Sequence, residues 1–401
     1  MTVLTVGDPA PWFVLPSTSN PNFHFDTVGG YRIILCFFGS TQLEQSAQAV
    51  EDFCAMQAEL AAANIPFFGV SVDPADRVLA SKVVSPTYCK FFWDFEQQVS
   101  QQYGAAAPTD QSQQPSYQPI TYLLNENLSV QQVFPLRQAE GYAAEIFRCV
   151  SSLPPPELPR PAARQAPVLF IPQVLEPELC QALIQLHQSS GGRSSGFMRE
   201  VDGKTVEILD PGFKKRRDIN LADSPLLGAI NQRVIRRIKP EVAKAFQFEI
   251  TRFERHLVAC YDATDQGFFN RHRDNTTKGT AHRRFAMTLN LNPSEYGGGD
   301  LRFPEYGTQL YRTNQGEAII FSSSLLHEVT PVTSGHRYAL LSFFYGDEDA
   351  AIRERNQQFL ADRSTEPPPV KPAQSGFGAP RSAASSKSNQ AKSQAKSKKR
   401  R

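Results

Sequence analysis

Three side chains with metal-binding chemistry and one cation suited to a carboxylate occur in fixed order in the second half of the chain. They are His272 and Asp274, separated by Arg273, then His327, then Arg337. Residues two apart on a β-strand point to the same face, so this spacing predicts the His272 imidazole and the Asp274 carboxylate aimed at one point. His327 follows an apolar run, Ala318-Ile319-Ile320-Phe321, that reads as a buried strand. Two imidazoles and a carboxylate on one face of an octahedral ion make the ligand set of a ferrous centre, with the opposite positions open. Such a centre takes a bidentate 2-oxo acid and dioxygen, and the far carboxylate of the acid needs a fixed cation. Arg337 stands after a turn containing Pro331 and Gly335, at the mouth of an apolar return strand Tyr338–Tyr345. Its planar guanidinium matches a carboxylate.

The surrounding residues extend the pattern. Tyr261, Gly267-Phe268-Phe269, His272-Arg273-Asp274-Asn275, Gly298-Gly299-Asp300-Leu301-Arg302-Phe303-Pro304 and His327 through Arg337 resemble, in type, order and spacing, the prolyl 4-hydroxylase type of 2-oxoglutarate/Fe(II)-dependent dioxygenase. The resemblance implies a double-stranded β-helix (a jelly roll, cupin-like) with flanking helices. It places Fe(II) on His272, Asp274 and His327, the 2-oxoglutarate tail on Arg337, and Tyr261 beside the co-substrate. It also implies L-ascorbate as reductant, succinate as product, and hydroxylation of an aliphatic carbon, of a peptidyl proline or similar residue. The substrate would be a peptide, protein or small molecule, together with O2. One departure stands out: oxygen-sensing members have a second tyrosine just before the Leu-Asn pair, and here Asn290 precedes Leu291-Asn292.

The elements that must position these residues begin near Val168. Glu176-Pro177-Glu178 opens a helix with proline in its first turn, with Leu179, Ala182, Leu183 and Leu186 on its packing face and His187 at its end as a surface or cap residue. Gly191 to Gly203 reads as a mobile loop. The basic cluster Phe213-Lys214-Lys215-Arg216-Arg217-Asp218 reads equally as a solvated face or as a dock for an acidic or peptide substrate. Leu226–Phe248 reads as a helix and Ile250–Asp262 as the strand leading to the site. His256, His282 and His336 read as core or surface histidines rather than ligands, with His336 facing away from Arg337. The loops 262–268 and 275–281 are candidate lids. Gly297-Gly298-Gly299 serves a tight turn, since no phosphate-loop lysine follows.

The first half follows a different rhythm. Ile33–Phe38 reads as a central strand, a helix carrying Ala47, Val50, Phe53, Met56 and Leu60 follows, and Ile65–Val72 reads as the next strand, an order that predicts a parallel sheet. Val6-Gly7-Asp8-Pro9-Ala10-Pro11-Trp12, Ser71-Val72-Asp73-Pro74 and Thr121-Tyr122-Leu123-Leu124 resemble peroxiredoxins of the thioredoxin fold. That chemistry needs a thiolate at the start of the helix after the central strand. Ser46 falls roughly there, and Cys36 and Cys54 read as core thiols, so a redoxin fold without peroxidase activity is expected.

The expected organisation is a peroxiredoxin-like domain over 1–153, a proline-rich linker over 154–166, the dioxygenase domain over 167–350, and a disordered basic tail over 351–401 that frays from about Asp349. Net charge is +2, but nine of the 42 Lys and Arg residues lie in Pro367–Arg401, which has no acidic residue, leaving 33 basic against 40 acidic groups before it. Such a tail cannot bury enough apolar surface to fold. It reads as a solubilising end, with loose contact to nucleic acid or an acidic partner as the alternative. The six cysteines form no CxxC pair, and neither a leader-like start nor a long apolar run is seen, which predicts a cytoplasmic protein with reduced thiols and no membrane association. Two rival functions are a thiol-dependent peroxidase or redox module, and a non-catalytic binding protein with a vestigial site.

Overall fold

The computed structural model describes residues 3–107 and 116–361. The first unit is a thioredoxin-like fold. Strands β1 (Ile33–Gly39), β2 (Phe67–Ser71) and β3 (Cys89–Trp93) run parallel, and β4 (Ile120–Leu124) and β5 (Val130–Pro135) add antiparallel on the other side of β1, giving the order β3-β2-β1-β4-β5. Every residue of β1 is buried, as a central strand covered on both faces requires. Ile34, Cys36 and Phe38 enter one core layer, while Ile33, Leu35 and Phe37 enter the other. Helices α1 (Glu44–Ala55) and α2 (Tyr142–Ser151) cover the first layer through Val50, Phe53, Ile146 and Val150.

The start of α1 differs from the expectation. Its N-cap is Leu43, without a capping side chain, whereas Ser46 lies inside the helix, buried, donating its Oγ hydrogen to Phe38 O at 2.7 Å. The loop before the helix faces carboxylates: Ser40 Oγ bonds Asp73 Oδ2 at 2.6 Å, and the Thr41 hydroxyl bonds Asp76. Negative charge there opposes formation of a thiolate. Burial pushes the Cys36 thiol up to about 12.

The second unit is a jelly roll. Its larger sheet runs β6 (Leu169–Ile171), β15 (Ala318–Ser322), β12 (Phe285–Asn290), β17 (Val332–Tyr345), β10 (Arg252–Asp262) and β9 (Arg217–Asn220), ending on Arg193–Ser194. The smaller sheet runs Lys214–Lys215, β11 (Phe268–His272), β16 (His327–Val329), β14 (Leu301–Arg302) and Leu310–Tyr311. A short strand β13 (Tyr296–Gly298) pairs with the near end of β17. Period-two alternation divides the larger sheet. Val258, Cys260, Met287, Leu289, Leu340 and Phe344 face the helices, while Ala259, Tyr261, Ala286, Ile319, Phe321 and Leu341 face the barrel interior.

The helices are α3 (Pro177–Ser190), α4 (Leu227–Arg233), a single π turn over Val234–Ile238, α5 (Lys239–Phe246) and α6 (Asp347–Asn356). Several local expectations are corrected here. The deepest residues of α3 are Cys180, Leu183, Ile184 and His187, and His187 is no surface cap, since its Nε2 meets Arg217 O at 3.1 Å. The stretch from Gly191 to Gly203 is not a loop throughout: Phe197–Val201 (β7) pairs in hairpin with Lys204–Ile208 (β8). Nor does the chain fray at Asp349. That residue is buried in α6 and bonds Arg284 at 2.7 Å, so folded structure runs on to Phe359. The basic tail from Asp362 lies outside the described residues.

The two units share a buried ionic contact. Asp8, 2 % exposed, is gripped by Arg236 and by Arg237 Nε at 3.2 Å, both from the π turn. Arg237 also donates to Val174 O (2.9 Å), Glu176 Oε1 (2.8 Å) and Thr5 Oγ1 (3.1 Å). Gly7, with φ +88°, makes the approach possible, because a Cβ there would lie 2.2 Å from Gln173 O. Beside it, Asn127 joins Glu241 and Lys244, each at 2.9 Å. Arg237→Met leaves Asp8 paired with Arg236 and Glu176 with Arg233, so the loss stays below about 3–5 kcal/mol, the cost of a buried charge stripped of every partner. Chemical denaturation of the full chain is expected to show that loss.

A second prediction concerns pH. Burial pushes the His256 imidazole down to about 4, and its Nε2 lies 3.0 Å from Asn231 Oδ1. An unfolded-chain histidine titrates near ~6.5, so the folded state binds fewer protons between these values. The contribution to stability is complete above the unfolded value and is lost as pH falls through the folded one, up to about 3 kcal/mol. His256→Gln is expected to flatten the dependence of unfolding free energy on pH in this window.

Candidate metal centre

His272 ends β11 and His327 opens β16, directly opposite one another in the antiparallel register. Their rings lie 4.2 Å apart, centroid to centroid. Each ring is fixed by its own chain: His272 Nδ1 bonds Asn270 O at 2.7 Å and His327 Nδ1 bonds Leu325 O at 2.9 Å. A neutral imidazole that donates through Nδ1 presents a lone pair at Nε2. Both Nε2 atoms face the Asp274 carboxylate, at 3.5 and 3.4 Å, and the three ligand atoms all lie within 4.8 Å of one another.

Two details of the strand reading are corrected. Asp274 is not on the strand with His272, because pairing stops at His272 and Asp274 sits in the turn beyond. Its backbone, not strand periodicity, aims it: Asp274 N donates to Ser323 O at 2.9 Å, and Asp274 O accepts from Arg283 Nη1 at 3.2 Å. His327 does not end the apolar strand β15 but begins a separate strand in the other sheet, after a tight turn. The two sheets thus meet at the site.

Protonation suits cation binding. Burial, reinforced by the neighbouring His272, pushes the His327 imidazole down to about 4, so it is neutral at pH 7. Burial alone would raise the Asp274 carboxyl, yet the His327 and His272 imidazoles outweigh it and hold the group below the usual carboxylate range. With both rings donating through Nδ1, the two Nε2 atoms and the carboxylate converge on one point, an arrangement that a shared cation satisfies. The residues present therefore fit a divalent ion of the imidazole- and carboxylate-binding class. Phe269 stacks on His272 at 3.5 Å, and Phe321 lies 4.8 Å from the His327 ring, giving an apolar wall.

Arg337 lies on β17 of the larger sheet, the strand that follows β16 in the chain; it is 2 % exposed and opposite Tyr261 of β10. Its Nη2 donates to Thr288 Oγ1 at 3.2 Å, while Nε and Nη1 have no partner among the described residues. Its guanidinium carbon is 5.0 Å from the Tyr261 ring centre. A buried guanidinium with two unmet donors fits a carboxylate ligand. His336, as strand alternation requires, points outward, half-exposed, to Asp262 Oδ2 at 3.4 Å.

Sequence reasoning missed several groups. Lys214 and Arg216 are not a solvated face. Lys214 Nζ is buried on Ser195 Oγ and Gly196 O, and Arg216 forks onto Asp218 at 2.7 and 2.6 Å while reaching the Tyr261 hydroxyl at 3.4 Å. Arg283, which holds Asp274, is itself forked onto Glu254 at 2.6 and 2.7 Å and lies 4.0 Å from the Phe343 ring centre. His282 joins the same pair, 3.2 Å from Glu254. Thr288 alone had a signal, its place two residues before Asn290 on one strand face. The candidate lid 275–281 is pinned: Thr277 and Thr280 are buried, and Gly279 N donates to Thr205 Oγ1 at 2.9 Å.

Comparison with known proteins supports both halves of the motif reading. Residues 256–345 match the family model of the 2OG-Fe(II) oxygenase superfamily, and residues 6–133 match the AhpC/TSA family. A PKHD-type hydroxylase of Pseudomonas fluorescens is 35% identical over 112 residues, 26% of this chain and 47% of the relative. Another, from Shewanella baltica, is 29% identical over 175 residues, 40% of this chain and 72% of the relative. The chain spans about half the length of the first of these relatives. Among solved structures, a Trichoplax adhaerens prolyl hydroxylase is 18% identical with a TM-score of 0.37, covering 46% of this chain and 86% of that one. Xanthomonas campestris peroxiredoxin Q is 15% identical with a TM-score of 0.31, covering 35% of this chain and 90% of its own.

Arg283 generates a test. Its exchange for methionine removes the donor that holds the Asp274 carbonyl and strands Glu254, and loss of such a supporting partner typically costs 10–100-fold in metal affinity. Titration of the full chain with Mn(II), followed by paramagnetic resonance, is expected to show a loss of about that size.

Proposed function

We propose that this chain is a 2-oxoglutarate- and Fe(II)-dependent dioxygenase that hydroxylates an aliphatic carbon, of a peptidyl proline or a similar residue, using O2 and releasing succinate. L-Ascorbate is its reductant. The observation that carries the reading is the convergence of His272, Asp274 and His327 within 4.8 Å, with Arg337 buried on the facing sheet and two of its nitrogens unmet. The family match over residues 256–345 supports it.

When bound, Fe(II) would supply activation of O2, the oxidant, for which 2-oxoglutarate gives two electrons on decarboxylation to succinate and the substrate C–H bond gives the other two. The protein's residues bind and orient. His272 and His327 would offer Nε2 and Asp274 a carboxylate oxygen, while Arg337 would fork onto the far carboxylate of the co-substrate, flanked by Tyr261. The Nδ1 bonds to Asn270 and Leu325 keep both rings in the ligating tautomer and stop them swinging out. Phe269 over His272, with Phe303 and Phe321 beside His327, excludes water from the two rings.

The redoxin unit, on this reading, carries no peroxidase activity: Leu43 stands at the helix start, and the carboxylates of Asp73 and Asp76 line the preceding loop. No helix among the described residues is long and apolar enough to cross a membrane. Incubation of the full chain with Fe(II), 2-oxoglutarate and ascorbate is expected to release succinate and to add 16 Da to an acceptor peptide. His327→Ala is expected to abolish both. Succinate release unchanged in that variant, or robust peroxide turnover by the first unit, contradicts the proposal.

A further inference from the structure

The second family tyrosine is missing at Asn290, yet a phenol reaches the same place from another strand. Thr288 and Asn290 lie two apart on β12, pairing with Leu341 and Ala339 of β17, so both face the barrel interior on the side of Arg337. Tyr296 comes from β13, which pairs Tyr296 with Gly335 two residues before Arg337. It is 6 % exposed, and its hydroxyl donates to Asn290 Oδ1 at 3.3 Å. One of the two Asn290 amide protons goes to Thr313 O at 3.2 Å. The side-chain oxygen is the atom that holds the phenol.

Gly299 shows how close the tyrosine lies to the guanidinium. A Cβ at this position, φ +65°, would sit 3.0 Å from Arg337 Cδ and 3.6 Å from Tyr296 Cε2. The Arg337 stem and the Tyr296 ring thus flank one side-chain-free residue. The other side of the ring is occupied by Arg312, 4.6 Å from the ring centre, which is itself tied to Asp300 Oδ1 at 2.7 Å and to Tyr296 O at 3.1 Å. The ring is clamped, so its hydroxyl has little freedom except rotation of the O–H bond. A 3.3 Å bond to a neutral amide is a long one, and a carboxylate is the stronger acceptor.

We infer that Tyr296, positioned by Asn290, is the phenol donor to the far carboxylate of 2-oxoglutarate, completing with Arg337 and Thr288 a cradle built from three strands. This rests on the oxygenase reading above. The test uses the full chain loaded with Mn(II) and measures 2-oxoglutarate binding by calorimetry. Tyr296→Phe keeps the clamped ring and removes only the hydroxyl. It is expected to raise Kd for 2-oxoglutarate about tenfold or more, the usual worth of a hydrogen bond to a charged group, and to leave Mn(II) affinity unchanged. In the succinate assay KM for 2-oxoglutarate rises in step while kcat holds. Adding Asn290→Tyr to that variant returns a phenol to the cradle and is expected to recover most of the affinity. Tyr296→Phe binding 2-oxoglutarate as the parent does overturns this inference and leaves the oxygenase reading standing. A parent chain that takes Mn(II) but no 2-oxoglutarate overturns both.

Discussion

The second unit depends on one electrostatic constraint: three acceptor atoms from different segments are forced together in a poorly hydrated place. Such a cluster does not hold itself together, so the fold must hold it from behind. It does so mostly with backbone, helped by the Arg283 side chain. The register that sets His272 opposite His327, the two Nδ1 bonds to neighbouring carbonyls and the Ser323 and Arg283 contacts to the Asp274 backbone leave none of the three side chains free to relax outward. Preorganisation of this kind is what lets a site bind an ion without first collapsing onto itself.

The same economy governs the long strand β17. One side of it supplies Leu340 and Phe344 to the helix-facing core, and the other supplies Leu341, Phe343 and Arg337 to the interior. A single fourteen-residue strand therefore ties the stability of the barrel to the position of the guanidinium. Helix packing and the placement of Arg337 are two readings of one pleat.

How much of this was visible in the chain depends on whether local periodicity or tertiary context decided the outcome. The central strand Ile33–Phe38 and the return strand after Gly335 follow from their apolar runs, and the outward direction of His336 from alternation, and the sequence reading placed them. The iron-type triad was legible as residue types, although the reason given for Asp274 was incomplete: a turn held by Arg283, not a shared strand, aims it. Lys214 and Arg216 were illegible, because a run of like charges looks solvated until partners remote in sequence, Ser195 and Tyr261, are brought to it. His187 was misplaced for a related cause. Helical spacing identifies a face but cannot say that Arg217 O will meet it. The hairpin over 197–208 lacks the apolar alternation that marks a buried strand, since most of its outward residues are charged.

The π turn at Val234–Ile238 sets how the barrel meets the redoxin unit. A π turn amounts to one residue more than the helix needs, and deleting it would restore regular α geometry while rotating everything beyond it by about 100°. Val242 would leave the core, and Arg236 and Arg237 would no longer converge on Asp8. One surplus residue thus serves as a socket, fixing at once the packing of α5 and the grip on a neighbour.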